Sequence, residues 1–189
     1  IGLMRMLPNM VVLNPCDYNQ TKMATLAAAE YVGPVYLRFG RPSVPNFTPA
    51  DQPFVIGKAI TMNEGCDVTI VATGHLVWPA LQAAQILSQK GVSAEVIDIH
   101  TIKPLDEEAI LSSANKTRAV VTAEEHSCNG GLGDAVCQLL GRKLPTPVEM
   151  VAVNDKFGES GTSMQLMNEY HLNADAIVES SLKAIARKN

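Results

Sequence analysis

The segment Asp67–Thr73 reads DVTIVAT, an almost unbroken apolar strand. A strand with one wet face alternates apolar and polar residues, and this one does not. Both of its faces are therefore covered, which is the signature of a parallel sheet sandwiched between helices. The surrounding pattern agrees. A helix is expected from about Leu76 to Gln89, closed by Gly91, and a strand from Ala94 to Ile99. Asp106 is placed to cap a helix whose first turn carries Glu107 and Glu108, the right charges for its positive end. Then follow a strand at Ala119–Ala123, a helix at Gly131–Leu140, a strand at Val148–Val153 and a helix at Ala174–Arg187. Phe54–Met62 alternates as an edge strand. Strand and helix alternate four times, so the fold class is α/β, a three-layer open and mostly parallel sheet.

An incomplete piece of a second α/β domain precedes it. Met10–Leu13 reads as a strand, Tyr18–Tyr31 as a helix capped by Asp17, and Pro34–Phe39 as a second strand. This is a crossover unit of a parallel sheet. Two strands make no stable sheet, so partners are expected from outside the chain. Residues 40–53 hold four prolines, which remove backbone donors. The expected division is a terminal domain piece at 1–47, a linker at 48–53 and a domain at 54–189. Ile1-Gly2-Leu3-Met4-Arg5 reads as the end of a helix, and a fragment lacking its upstream half is expected.

Net charge is −4 over 189 residues, with no cluster of Lys or Arg, which argues against a nucleic-acid surface. Cys16, Cys66, Cys128 and Cys137 form no C-x-x-C pair and have no His cluster, so no metal site is expected. Reduced thiols in a cytoplasmic protein are the plain reading. No apolar run is long enough to span a membrane.

Several constellations could carry chemistry. Gly130-Gly131-Leu132-Gly133 opens a helix and could cradle an anion, although tight turn geometry is the favoured reading. Its spacing fails the dinucleotide fingerprint. Thr73-Gly74-His75 lies at the carboxyl end of a strand, where open sheets bind ligands; a capped turn is favoured. Glu124-Glu125-His126 follows a buried strand at the same edge. Neighbours on an extended chain point to opposite sides, so a polar strand exit or subunit contact is preferred to a proton-transfer pair. His100, His171 and Trp78 read as structural. Arg38 and Arg41 flank the end of the second strand, and a guanidinium fork suits phosphate. Linker salt bridges explain them equally well.

Taken in order, these motifs resemble a known family. Arg38 with Arg41-Pro42, Thr101-Ile102-Lys103-Pro104-Leu105-Asp106, Val121–His126 with Gly130–Val136, and Ala152-Val153-Asn154 with Ser160-Gly161 resemble the carboxy-terminal region of transketolases, most closely the two-subunit type. The likeness covers essentially the whole chain. Lys103–Asp106 also resembles deoxyxylulose-phosphate synthase, which stands second, with the beta subunits of 2-oxoacid dehydrogenases beside it. The resemblance implies transfer of a two-carbon ketol unit between sugar phosphates. It implies thiamine diphosphate and a divalent cation (Mg) in the complete enzyme, bound between chains and not by this chain alone. It implies an amino-terminal section as partner, in a homodimer or hetero-tetramer. Residues 1–47 then resemble the end of the pyrimidine-binding domain. The family's activating glutamate and its aromatic pocket have no counterpart here, so no catalytic residue is carried over and the fragment alone is expected to be inactive. Arg38 matches the family's substrate-phosphate arginine, and Arg41 is a second candidate.

Overall fold

The computed structural model describes residues 1–188. Eight strands form two sheets. The larger one has the order β3 (Ile60–Asn63), β5 (Ala94–Asp98), β4 (Val68–Ala72), β7 (Val120–Ser127), β8 (Val148–Val153). Its last four strands are parallel, and β3 is an antiparallel edge. β4 pairs with β5 and β7, and all five of its residues are buried. Alternate side chains feed two cores. Ile70, Ala72, Val96 and Val121 pack under α3 (Val77–Gln89) and α7 (Ala174–Ala186). Val71, Ile97 and Val120 pack under α4 (Glu107–Thr117) and α5 (Leu132–Lys143). The three-layer α/β fold expected from the apolar strand is the one adopted.

The single polar side chain of β4 also has a use. The Thr69 hydroxyl lies 2.6 Å from Ser113 Oγ and 2.7 Å from Thr117 Oγ1, both on α4. Glu95, buried on β5, accepts from Ser113 and, at 2.8 Å, from Lys116. Buried polar groups cost stability unless paired. Here that requirement fixes the rotation of α4 on the sheet.

The smaller sheet has the order β2 (Val35–Leu37), β1 (Val11–Leu13), β6 (Thr101–Lys103). β1 and β2 are parallel and are joined by α2 (Tyr18–Glu30), as the crossover reading requires. β6 goes beyond the sequence reading. It pairs antiparallel with β1, so one partner expected from outside the chain lies within it. Thr101-Ile102-Lys103 offers one apolar residue between two polar ones, too little to register as a strand in sequence. Lys103 adds to the join, donating to the carbonyls of Arg5 (2.8 Å) and Leu7 (2.6 Å) at the end of α1 (Gly2–Met6).

Asp17 ties the proline-rich stretch to the same unit. Its carboxylate caps α2 through the Gln20 amide at 2.9 Å, and also accepts from the amides of Phe47 (2.9 Å) and Thr48 (2.7 Å). Phe47 in turn packs on Trp78, ring centroids 5.3 Å apart. Two other elements differ from expectation. β3 begins only at Ile60, after Gly57 at φ +85°, and α6 (Ser163–Glu169) is an additional short exposed helix with a Thr162–Gln165 capping box.

Asp98 closes β5 as a fully buried acid. Burial pushes it up to about 7, against a partial offset from Gln20 Nε2 at 2.5 Å and the Cys16 thiol at 3.8 Å. Its Oδ1 meets no partner among the described residues. An unfolded Asp ionises near pH 4, whereas the folded one holds its proton to about 7. Its contribution to stability is thus fully present below about pH 4 and is lost as pH rises through about 7. Asp98→Asn stays neutral throughout. The variant is expected to gain on the parent progressively, by up to about 4 kcal/mol, as pH rises from about 4 to about 8 in urea unfolding. A pH-independent difference between the two would show that Asp98 is not held protonated.

Candidate functional site

Strands β1, β2, β4 and β7 all end at one edge, where the two sheets meet. The amide of Arg38 donates to Leu13 at 2.9 Å, so the ladder of β2 carries one residue further and sets Arg38 at the rim. Asn14, next after β1, is buried. Its amide donates to the His100 carbonyl at 2.8 Å, its carbonyl accepts from Gly74 at 3.1 Å, and its Nδ2 reaches Thr73 Oγ1 at 3.2 Å. Gly74 has φ +54°, and a Cβ there would lie 2.6 Å from the Asn14 side-chain amide. Only glycine meets both demands. This contact stitches the end of β1 to the end of β4.

The expected cap on the following turn (Gly74–Leu76) is not made: neither Thr73 nor His75 caps it. Thr73 Oγ1 donates instead to the Ile99 carbonyl at 2.7 Å. His75 turns toward Glu125, its Nδ1 3.3 Å from Oε2. Arg38 meets the same carboxylate at 3.4 Å and donates to the Glu125 carbonyl at 3.0 Å. Neither approach to Oε2 is aligned as a hydrogen bond, and the Arg38 contact is carried by charge more than by direction. His75 and then Arg38 hold Glu125 below the usual carboxylate range, against its own burial.

Arg38 is thus largely engaged within the chain. Arg41 is not: it is exposed, and its side chain makes no hydrogen bond or ion pair among the described residues. It stands on a short rib, Gly40-Arg41-Pro42, between two hollows. The larger, about 790 Å³, is bounded also by Glu125, His126, Lys156 and Tyr170. The smaller, about 330 Å³, is bounded by Cys16, Tyr18 and His75. An open guanidinium beside two hollows can grip a phosphate or another oxyanion bidentately.

Glu124 points the other way, as alternation along β7 demands. It is 0% exposed. Its carboxylate accepts from the amides of Leu132 (2.8 Å) and Gly133 (2.7 Å), the first turn of α5. The glycine turn is therefore an anion cradle, and its anion is the chain's own. A Cβ on Gly131 would lie 2.1 Å from Glu124 Oε2, so the close approach requires glycine. Burial raises Glu124 despite the two amide bonds. Arg5 closes the turn, donating to the carbonyls of Gly130 (2.5 Å) and Gly131 (2.7 Å). His126 is occupied as well. Its Nε2 accepts from the Gly2 amide at 3.2 Å and its Nδ1 lies 2.8 Å from the Ser127 carbonyl, an arrangement for a neutral ring. His100 is buried against Phe54, and burial lowers it to about 4.

The structure brings Arg38, Arg41, His75 and Glu125 to one edge and turns Glu124, His126 and the glycines to structural use. Sequence reading misses Asn14 and Gly40. A Cβ on Gly40 would lie 2.0 Å from the His75 ring. The one available signal is a glycine directly before the second arginine.

Comparison with known proteins points in one direction. The family described as "Transketolase, C-terminal domain" matches residues 57–177. A 6-deoxy-6-sulfo-D-fructose transketolase subunit from a Clostridium species is 43% identical over all of this chain and 59% of that protein. A subunit of the apulose-4-phosphate transketolase of Phocaeicola vulgatus is 38% identical over 99% of this chain and 60% of its own length. This chain thus spans about 60% of the length of these curated relatives. A solved split-gene transketolase, described as an inactive beta4 tetramer, superposes with a TM-score of 0.97 at 47% identity, covering 100% of this chain and 62% of that one. A 1-deoxy-D-xylulose-5-phosphate synthase from Halothermothrix orenii is more distant, at 33% identity over 98% of this chain and 30% of its own.

The buried cradle makes a stability prediction. Glu124→Ala leaves two amides without a partner in a sealed site and is expected to cost about 2–4 kcal/mol. Gly131→Ala should cost a similar amount by steric displacement of the carboxylate. Urea unfolding of both variants measures this, and near-parental stability of either would contradict the cradle.

Proposed function

Because this chain belongs to the transketolase family through its carboxy-terminal domain, we propose that it is the carboxy-terminal section of an enzyme that moves a two-carbon ketol unit between sugar phosphates. In this reading an amino-terminal section completes the assembly. Thiamine diphosphate supplies the electron sink when bound there. The donor set of this chain does not fit that cofactor. Among the described residues no three His, Cys, Asp or Glu side chains gather to hold a cation for a diphosphate, and the acid that faces Arg38, Glu125, is already paired.

What the chain offers is a hold on the far end of the sugar. The observation that carries this reading is Arg41, exposed and unengaged beside two hollows at the edge where the strands end. Arg38 lies behind it with its side chain 24% exposed. We assign Arg41 the phosphate itself and Arg38 the second arm, which reverses the order that the family resemblance implies. The reason is physical: the Arg38 fork already faces Glu125 and Asn14, whereas the Arg41 fork is open. No helix among the described residues is long and apolar enough to cross a membrane.

Two outcomes test this. The isolated chain should show no ketol transfer, and addition of a complementary amino-terminal section should restore it. In that assembly Arg41→Ala should raise KM for phosphorylated sugars by about tenfold or more while leaving unphosphorylated sugars little affected. Transfer by the chain alone, or a KM that ignores the phosphate, would reject the proposal.

A further inference from the structure

The rib that carries Arg41 is not held by its own residues, and the side chain that holds it comes from the other sheet. We infer that His75, fixed by Glu125, is the positioning residue that sets the rib and so the direction of the Arg41 guanidinium. The inference rests on the phosphate reading above and deepens it.

Three observations converge. First, the Gly40 backbone is pressed against the His75 imidazole so closely that a methyl group would overlap Cε1, Nε2 and Nδ1 together. A contact of this kind leaves the rib no room to sink toward the sheet. Second, the imidazole is itself anchored, with Nδ1 3.3 Å from Glu125 Oε2 and only 11% of its side chain exposed. Third, Glu125 is anchored in turn by Arg38, through its carboxylate at 3.4 Å and its carbonyl at 3.0 Å. The chain of contact runs Arg38, Glu125, His75, Gly40, and the next residue is Arg41. It begins and ends on the same segment after β2, so it closes a loop around the rib.

Neither end of the chain explains His75 by itself. A turn cap would account for a polar residue at this position, but His75 caps nothing. A buried core histidine would face apolar neighbours, as His100 does against Phe54, whereas His75 borders the smaller hollow together with Gly40 and Arg41. Its place is the floor under the arginine. Misplacement of a binding group by an ångström lowers binding to a charged substrate group by an order of magnitude or more. Removal of the floor should therefore weaken the grip on the phosphate without touching the ketol chemistry.

The experiment uses the complete assembly and compares one phosphorylated acceptor sugar with its unphosphorylated counterpart. His75→Ala removes the floor. Glu125→Gln keeps the shape and removes the carboxylate that faces the imidazole, and it serves where His75→Ala does not assemble. Each is expected to raise KM for the phosphorylated sugar about three- to tenfold, with kcat and the unphosphorylated KM changed less than about twofold. Added to Arg41→Ala, His75→Ala should have little further effect, because the group it positions is gone. An effect on both sugars alike, or full additivity with Arg41→Ala, overturns the positioning role. If Arg41→Ala itself leaves the phosphorylated KM unchanged, the phosphate reading falls and this inference falls with it. If Arg41→Ala shifts KM and the other two variants do not, only the role of His75 is lost.

Discussion

A carboxylate sealed inside the protein governs the arrangement of this chain. The Glu124 side chain reaches from β7 to the first turn of α5 and accepts two of the amides that a helix leaves unpaired at its start. An ionisable group in a fully buried place is tolerated only where such bonds compensate it. The bonds fix β7 against α5, and with it the facing of every residue in the strand. Glu124 points into the helix start, so Glu125 must point out toward Arg38 and His75. The polar edge where the sheets meet is thus set from within the core.

A second set of contacts joins the segment before the proline-rich stretch to that stretch and to the segment after it. Asn14 binds across to Thr73, Gly74 and His100, Lys103 reaches the end of α1, and Asp17 collects the amides of the proline-rich stretch. Each is a buried or half-buried polar group with several partners. Such networks specify one geometry, because a partial arrangement leaves desolvated groups unpaired. The rib of Gly40-Arg41-Pro42 sits within that frame.

The layered fold is readable because β4 is apolar on both faces and the helices alternate with strands at ordinary lengths. Caps at Asp17 and Asp106 are legible for the same reason: a short acid before an apolar run has one common use. β6 and α6 are not legible, since β6 offers a single apolar residue and the seven residues of α6 carry too little period to stand out. The candidate site is half legible. Both arginines are visible as residues with matching chemistry, but their difference lies in what surrounds them. Only the fold shows that Arg38 faces Glu125 and that Arg41 faces open space. The glycine turn shows the same limit from the other side. Its capacity to cradle an anion is readable from its residues, yet the anion it holds, Glu124, lies eight residues from Leu132 and comes from a different element. Sequence spacing does not reveal which acid a turn will hold.

The small three-stranded sheet has a mechanical consequence. Its third strand, β6, belongs to the segment that follows the proline-rich stretch, while β1 and β2 precede it. A stretch with four prolines would ordinarily invite a swinging joint between two bodies. Here backbone bonds bridge that joint from the far side, and Asp17 pins its middle. Any rocking of the five-stranded layer must carry the arginine-bearing segment along as cargo. The edge where the strands end then travels as one stiff wall.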